Sequence, residues 1–378
     1  MNSETDSRIA ADLSVPRINA LDQLRGFALG GILMVNVTSM YLPWGLSDET
    51  LDTILHTVFG SKFYLLFSFL FGYSLTIQIR SAERDHVNPD IRILRRCLAL
   101  IAIGIAHAVL LFTGDILTVY GVAGLILLLL RRARPLITLM TTGILYLVTV
   151  IAMTTIVVCG IAIESDHFPR EDVLNKIRAG GMELVSMRWH EFSGNMPSHF
   201  LVVLLVLPPF LIGMTAGKIR LFEAAHRYQP ALPRAQAIGF GIGVPLTLVA
   251  TLTATPWTVA AYMVAAPMLT AAYAATVLRL VHRLPIVGAS LAPAGRIAAT
   301  NYVGQSLIAA VLFTGYGFAL AGRVPDLLVV GIAVAIYGLQ LAASSWYVRR
   351  FRYGPVEWLL RIGTYGLRTT WERARPSR

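Results

Sequence analysis

Charge is what this chain has least of. Only 14% of its 378 residues are Asp, Glu, Lys or Arg, against about 25% in soluble globular domains. So little charge cannot cover a water-facing surface, which excludes an ordinary soluble enzyme. Cysteine is nearly missing as well. Cys97 and Cys159 are too few and too far apart for a disulfide framework or a cysteine-ligated metal, and both read as packing residues. The chain lacks HExxH, GxxxxGK[ST], GxSxG and CxxC, the patterns of zinc peptidases, P-loop enzymes, α/β-hydrolases and thiol redox proteins. Among its histidines, His190 and His199 stand nine apart, a spacing that suits no zinc pair. No metal and no resident cofactor are expected.

What fills the space is apolar. Hydrophobic residues make up 56% of the chain and the mean hydropathy is +0.64. Runs near ~20 apolar residues are long enough, at ~1.5 Å per helical residue, to span a ~30 Å hydrocarbon layer. Ten such segments are predicted: 24–44, 59–79, 97–113, 116–130, 136–163, 199–217, 235–254, 257–278, 297–320 and 326–348. Basic residues test this map independently, because Lys and Arg collect on the cytoplasmic side. With the N-terminus inside, all but Lys62, Arg170, Lys176, Arg178, Arg188 and Arg323 of the 32 fall in or beside cytoplasmic segments. The prediction is an all-α polytopic bundle of about ten transmembrane helices in the cell membrane, both termini cytoplasmic. The net charge of +11 is then mostly topological, and no nucleic-acid partner is implied.

The chain divides into a polar tail (1–23), a five-helix region (24–163), an extracytoplasmic segment (164–198), a second five-helix region (199–348) and a basic tail (349–378). The first tail lacks the layout of a signal peptide, so the first helix is expected to remain as an anchor. In segment 164–198 the apolar spacing suits two short helices broken at Gly180-Gly181, either a lid over the outer face or a surface pair with no part in chemistry. Small residues four apart, Gly26/Gly30, Ser68/Gly72 and Gly104/Ala108, predict close helix contacts. Pro208-Pro209 reads as a break in the sixth span.

Polar side chains inside such spans cost a few kcal/mol unless they meet a partner or water. Asp22 and Arg25, three apart, share a helix face and can pair. Asn36 follows Arg25 by eleven residues, nearly three turns, about 16 Å deeper on almost the same face. His107 stands in the same relation to Arg96, with Asp115 at the outer boundary and Tyr120 re-entering on the next helix. Asn36, His107, Asp115 and Tyr120 converge if the first, third and fourth helices are neighbours. A buried histidine titrates near neutral pH and can take and return a proton. A second polar group, Asn301, Gln305, Gln340 and Ser344, lies in the inner half. It is either a polar path or interhelical glue.

Whole segments resemble a known family. "RINALDQLRGFALGGILMVNV", "KFYLLFSFLFGYSLTIQIR" and "GIAHAVLLFTGDILTVYGVAGLILLLLRR" are similar to the YeiB-like membrane proteins. "GRIAATNYVGQSLIAAVLFTGYGFALAG" and "QLAASSWYVRRFRYGPVEWLLRIGTYG" resemble that family's C-terminal domain of unknown function 418. More distantly, the LDxxRGxAL…N opening is similar to transmembrane acyltransferases of the heparan-glucosaminide acetyltransferase type. Those move an acetyl group from cytosolic acetyl-CoA to an acceptor across the membrane. The resemblance implies Asn36 as an active-site residue and Arg25 near the cytoplasmic mouth. Where those enzymes carry a histidine eleven residues past the Asn, this chain has Ser47.

Three functions fit these features. The first is an acyltransferase with acyl-CoA as co-substrate. Its phosphates would meet Arg25 (paired to Asp22), Arg296 or the Arg349, Arg350, Arg352 group. His107 would act as base, Asp115 or Tyr120 as its orienting partner, and Asn36 as oxyanion donor. The alternative is a transporter or exporter of a small polar molecule using the same clusters. The third is an assembly protein whose polar residues only join helices. A small-molecule acceptor, membrane lipids and a homo-oligomeric partner complete the expected contacts.

Overall fold

Prolines or side-chain caps begin several of the helices. The computed structural model describes residues 18–159, 169–253, 255 and 257–366. The N-terminal tail to 17, the opening of segment 164–198 and the basic tail beyond 366 lie outside the described residues. Asp48 caps one helix by accepting from the Thr50 and Leu51 amides, and Asn88 caps another just before Pro89. Pro89, Pro135, Pro285 and Pro355 each sit in a first turn, where a missing amide proton costs nothing.

The helices are α1 (Asn19–Tyr41), α2 (Glu49–Phe59), α3 (Lys62–Arg84), α4 (Pro89–Leu110), α5 (Leu117–Leu130), α6 (Pro135–Val158), α7 (Arg170–Ala179), α8 (Gly181–Gly194), α9 (Met196–Lys218), α10 (Leu232–Thr253), α11 (Thr258–Arg283), α12 (Pro285–Arg296), α13 (Ala298–Phe313), α14 (Asp326–Arg350) and α15 (Pro355–Tyr365). Short helical turns fill 221–231. The described residues form no strand. Seven stretches are long and apolar enough to cross a membrane: 49–84, α4, α6, 199–218, 226–253, α11 and α14. Each of the ten predicted segments contains a helix. The protein is an all-helical membrane protein.

Four differences from the sequence reading have physical causes. The stretch 279–296, expected as a link, contains α12, whose Gly288 and Gly295 bury it against α1. The start of the basic tail is α15, an amphipathic helix packed on α4 and α13. The segment 297–320 is helical only to Phe313, and residues 314–325 form turns. Pro208-Pro209 does not break its span, since α9 runs through both prolines.

α1 is the hub, packing against α3, α12, α13 and α14. Its contacts depend on missing side chains. A Cβ on Gly26 would strike the Leu291 carbonyl, and one on Gly295 would strike the Asp22 carbonyl. Gly72 of α3 and Gly213 of α9 approach the partner backbone in the same way, at Phe210 and Phe69. Cys97 is buried against Gly124, whereas Cys159 is exposed at the end of α6. Large apolar residues of α6 and α10, such as Leu147, Ile151, Ile242 and Leu252, are exposed, as a lipid-facing surface requires.

Gly26→Leu forces α1 and α12 apart. It is expected to cost about 1–3 kcal/mol or more by overpacking, read as a lower unfolding temperature of the detergent-purified protein. Gly331→Leu, at a glycine with open space around it, is expected to leave that temperature unchanged.

Candidate active site

Asp115 sits just ahead of α5, where unpaired amides and the helix dipole favour a negative charge. Its Oδ2 accepts a hydrogen bond from the Thr118 amide at 2.7 Å. The other oxygen, Oδ1, lies 2.9 Å from His107 Nδ1 on α4. The contact is an ion-pair approach lying off the line of an in-plane hydrogen bond. Both side chains are 1% exposed. A carboxylate facing Nδ1 favours the proton there and leaves Nε2 to act as a base. Nε2 is buried and finds no hydrogen-bond partner among the described residues. A buried polar atom with nothing to bond is costly, and a substrate proton is one thing that could answer it.

The seat for Asp115 is cut out of α4 by Gly104. A Cβ there would stand 2.6 Å from Asp115 Oδ2 and would also strike Thr118. Tyr302 of α13 closes another side, its ring centre 5.0 Å from that of His107. Its hydroxyl accepts from the Ile116 amide at 3.3 Å. Sequence reasoning passed over Tyr302, although it stands between the two residues Asn301 and Gln305 that were singled out on the same helix. Its only signal was a hydroxyl in an apolar run, which a buried tyrosine must satisfy.

Tyr120 does not join this group. Its hydroxyl donates to the Tyr64 carbonyl at 3.1 Å and accepts from Ser68 Oγ at 2.9 Å, so it faces α3. The depth expected for Tyr120 does not settle which way its helix face turns. Asn36 continues the stripe Arg25, Leu29, Ile32 on α1, and Leu29 and Ile32 share one buried cluster with Tyr302 and Leu117. Asn36 is half-buried. α1 meets α3 and α13, so Tyr302 links its face to His107.

One end of the bundle is covered by α7 and α8, parted at Gly180 and Gly181 with φ of +68° and +62°. Leu184, Met187 and Ile177 are buried with Leu33 and Val37 of α1 and Phe313 of α13. Arg188 is buried and donates to the Leu110 carbonyl at 2.7 Å, one turn from His107. Burial pulls its guanidinium below the usual range. Arg178 donates to the Ala321 carbonyl at 2.8 Å. The helix pair therefore lies over the loop that carries Asp115.

The opposite end is rich in arginine. Arg25 donates to Asp22 at 2.7 Å and to Ser74 Oγ at 2.5 Å. Arg96 lies within electrostatic reach of Arg25, Glu357 and Tyr365. Arg361 stacks on Tyr353 and Tyr365 at 4.3 and 4.6 Å. Arg296 ends α12. Arg349, Arg350 and Arg352 are exposed, with Arg350 stacked on Trp346 and Arg352 on Tyr353. Glu357 and Arg361, on the helix taken as a tail, were missed.

Between the two ends lies the second polar group. Asn301 Nδ2 donates to Ser344 Oγ at 2.9 Å and to the Ala294 carbonyl at 3.0 Å. Gln305 Nε2 donates to Gln340 Oε1 at 2.8 Å, and Gln340 Nε2 donates to the Asn301 carbonyl at 3.0 Å. These bonds join α12, α13 and α14. Glu357 holds α13 from outside, accepting from the Ala299 and Thr300 amides at 2.7 and 3.2 Å and from Thr300 Oγ1 at 2.6 Å. One carboxylate thus caps a neighbouring helix whose first turn precedes Tyr302. Among the described residues no three His, Cys, Asp or Glu side chains gather as a metal site would need.

Residues 17–243 match the family model described as heparan-alpha-glucosaminide N-acetyltransferase, catalytic. Residues 216–367 match a protein of unknown function, DUF418. The chain is 31% identical to the uncharacterized protein YxaH of Bacillus subtilis, over 95% of this chain and 97% of the relative. It is 28% identical to an uncharacterized 39.9 kDa protein in the amylase 3′ region of Bacillus acidopullulyticus, covering 92% and 94%. It is also 28% identical to the uncharacterized protein YeiB of Escherichia coli, covering 90% and 94%.

Two substitutions test how this site is held. Asp115→Asn keeps a capping side chain but removes the charge beside His107. Nitrogen-15 NMR of labelled histidine is expected to show a shift away from the Nδ1-protonated form. An unchanged signal would mean that the carboxylate does not orient the ring. Glu357→Ala uncaps α13 and is expected to cost about 0.5–2 kcal/mol in thermal unfolding, with Glu357→Gln milder.

Proposed function

The chain belongs to the YxaH and YeiB family, joining an N-terminal part of the heparan-alpha-glucosaminide N-acetyltransferase catalytic type to a DUF418 part, and we propose that it is a transmembrane acyltransferase. It moves an acyl group from acyl-CoA on the cytoplasmic side to a hydroxyl or amine acceptor. The observation that carries this reading is the unpartnered, buried His107 Nε2 on a ring whose Nδ1 lies 2.9 Å from Asp115 Oδ1. In this reading all ten helical segments cross the cell membrane, with both termini cytoplasmic and the α7–α8 pair on the far side.

The chemistry needs little beyond what these residues supply. His107 Nε2 takes the acceptor proton as the acceptor oxygen or nitrogen attacks the thioester carbonyl. Asp115 holds the ring and offsets the charge it gains. The Asn36 amide donates to the oxyanion that forms, and the carbon–sulfur bond then breaks to release CoA thiolate. The protonated His107 can return its proton to that thiolate. Arg25, Arg96 and Arg361 offer guanidinium groups for the donor's phosphates, a geometry suited to bidentate contacts. Arg296, which follows the Gly295 packed on Asp22, and the exposed Arg349, Arg350 and Arg352 would extend that surface. The Asn301–Gln305–Gln340–Ser344 side chains bond one another across α13 and α14, with Gln305 Oε1 left without a partner among the described residues, and this supports a helix joint more than an open solute path.

His107→Ala is expected to lower CoA release from acetyl-CoA by about 10²–10⁴-fold in proteoliposomes supplied with hydroxyl and amine acceptors. Asn36→Ala is expected to lower it by about 10²–10³-fold. Full turnover in the His107 variant would remove the proposed base. Counterflow of a labelled solute without any acyl-CoA would replace the enzyme with a transporter.

A further inference from the structure

Away from the site and from both arginine-lined elements already described, α10 and α11 leave a cleft at the end where α11 finishes. Two adjoining hollows of about 210 and 200 Å³ open there, and both are lined by Arg279 and Arg283. Arg279 lies in the last turns of α11 and faces Gln236 of α10. Its Nη1 donates to Gln236 Oε1. Gln236 Nε2 donates to Thr276 Oγ1 at 2.7 Å, and that hydroxyl donates to the Ala272 carbonyl at 2.8 Å. The chain of bonds fixes one edge of the guanidinium and leaves the others toward the cleft.

The wall of this cleft contains no carboxylate among the described residues. Among the described residues Arg279 and Arg283 make no ion pair that would neutralise them, and His282 adds a third basic side chain to the lining. Leu280 lines the second hollow and is 40% exposed, and Leu284 and Ile286, next along the chain, are 50% and 75% exposed. A side chain of that kind belongs against hydrocarbon. The site thus combines a cation held by a neighbouring helix with an apolar flank along which acyl chains can lie. A favourable dipole at the end of α11 accounts for a basic residue there, but not for one clamped by a neighbouring helix with its free edge facing a hollow.

We propose that this cleft binds the phosphate headgroup of an anionic phospholipid, with Arg279 as the fixed donor and Arg283 and His282 as the outer ones. The lipid's diester phosphate takes two donors from a guanidinium edge, and its tails follow the Leu280–Leu284 flank. The proposal is independent of the acyltransferase reading, because none of its residues belongs to that site.

The full-length protein is tested in nanodiscs of phosphatidylcholine with and without phosphatidylglycerol. Native mass spectrometry of the released protein counts the lipids retained. Phosphatidylglycerol is expected to be held in preference to phosphatidylcholine, and Arg279→Gln to weaken that preference by about fivefold, the effect of one basic residue. Gln236→Leu, which frees the guanidinium without removing its charge, is expected to weaken it by less. Arg349→Gln with Arg350→Gln, at a different basic element, is expected to leave this lipid preference as it is in wild type. Should Arg279→Gln fail to fold, the exposed Arg283→Gln reads the same question. Equal retention by wild type and by the Arg279 and Arg283 variants would overturn the proposal. So would displacement of the lipid by inorganic phosphate at equal concentration, which would make it a free-anion site.

Discussion

A carboxylate and an imidazole buried together among apolar helices persist only if their atoms are answered, and much of the bundle is arranged to answer them. The head of α5 supplies Asp115 with an amide and a favourable dipole. Gly104 supplies the space, since a Cβ there would stand 2.6 Å from Oδ2 and closer still to Thr118. His107 faces the carboxylate through Nδ1, and Tyr302 shields the ring and pins its own hydroxyl to the Ile116 amide. Leaving a charge unpaired at such depth costs several kcal/mol, so each of these neighbours is held by the need for the others. His107 Nε2 is left without any partner among the described residues, while Nδ1 and Asp115 Oδ1 meet only in an off-line approach, and unsatisfied buried groups of that kind mark a working site.

The two parts matched by different family models are not two bodies in space. α12, α13 and α14, from the DUF418 part, pack around α1, from the acetyltransferase-like part. The glycines at 26 and 295 let backbones touch, the arrangement membrane helices use when apolar burial gives no drive to associate. Tyr302 therefore reaches His107 from the other end of the chain. Its helix is set in turn by Glu357, which reaches across from α15 to close the first turn of α13. The C-terminal helices act as the far wall of a site whose ionisable groups come from the N-terminal ones.

The inner polar group behaves differently from the pair. Its amides bond each other and nearby carbonyls, chiefly across α13 and α14. Side chains joined in this way rigidify a joint, and only part of their bonding capacity, such as Gln305 Oε1, is left over. At the opposite end α7 and α8 bury Leu184 and Met187 over α1 and anchor Arg188 on the last turn of α4. A substrate reaching Nε2 from that side must pass this cover, which ties access to the stability of two short helices parted at glycines.

Much of the fold was legible in the sequence. Apolar length gives a helix its existence and roughly its ends, so each of the ten predicted segments contains a helix, and the Gly180–Gly181 parting of α7 from α8 was visible as well. α12 and α15 were not, because a short helix holding prolines, or one striped with arginine, has the composition of a link. Within a single helix, residue spacing fixes depth and face, which is why Asp22 with Arg25 could be paired on paper. His107 with Asp115 could be proposed because eight residues separate them across one turn. Between helices spacing carries no such information. Only the packing of α5 against α3 turns Tyr120 away, and only the placement of α13 brings Tyr302 in. A rise of ~1.5 Å per residue tells how deep a side chain lies, and the neighbour it meets there is decided by tertiary contact alone.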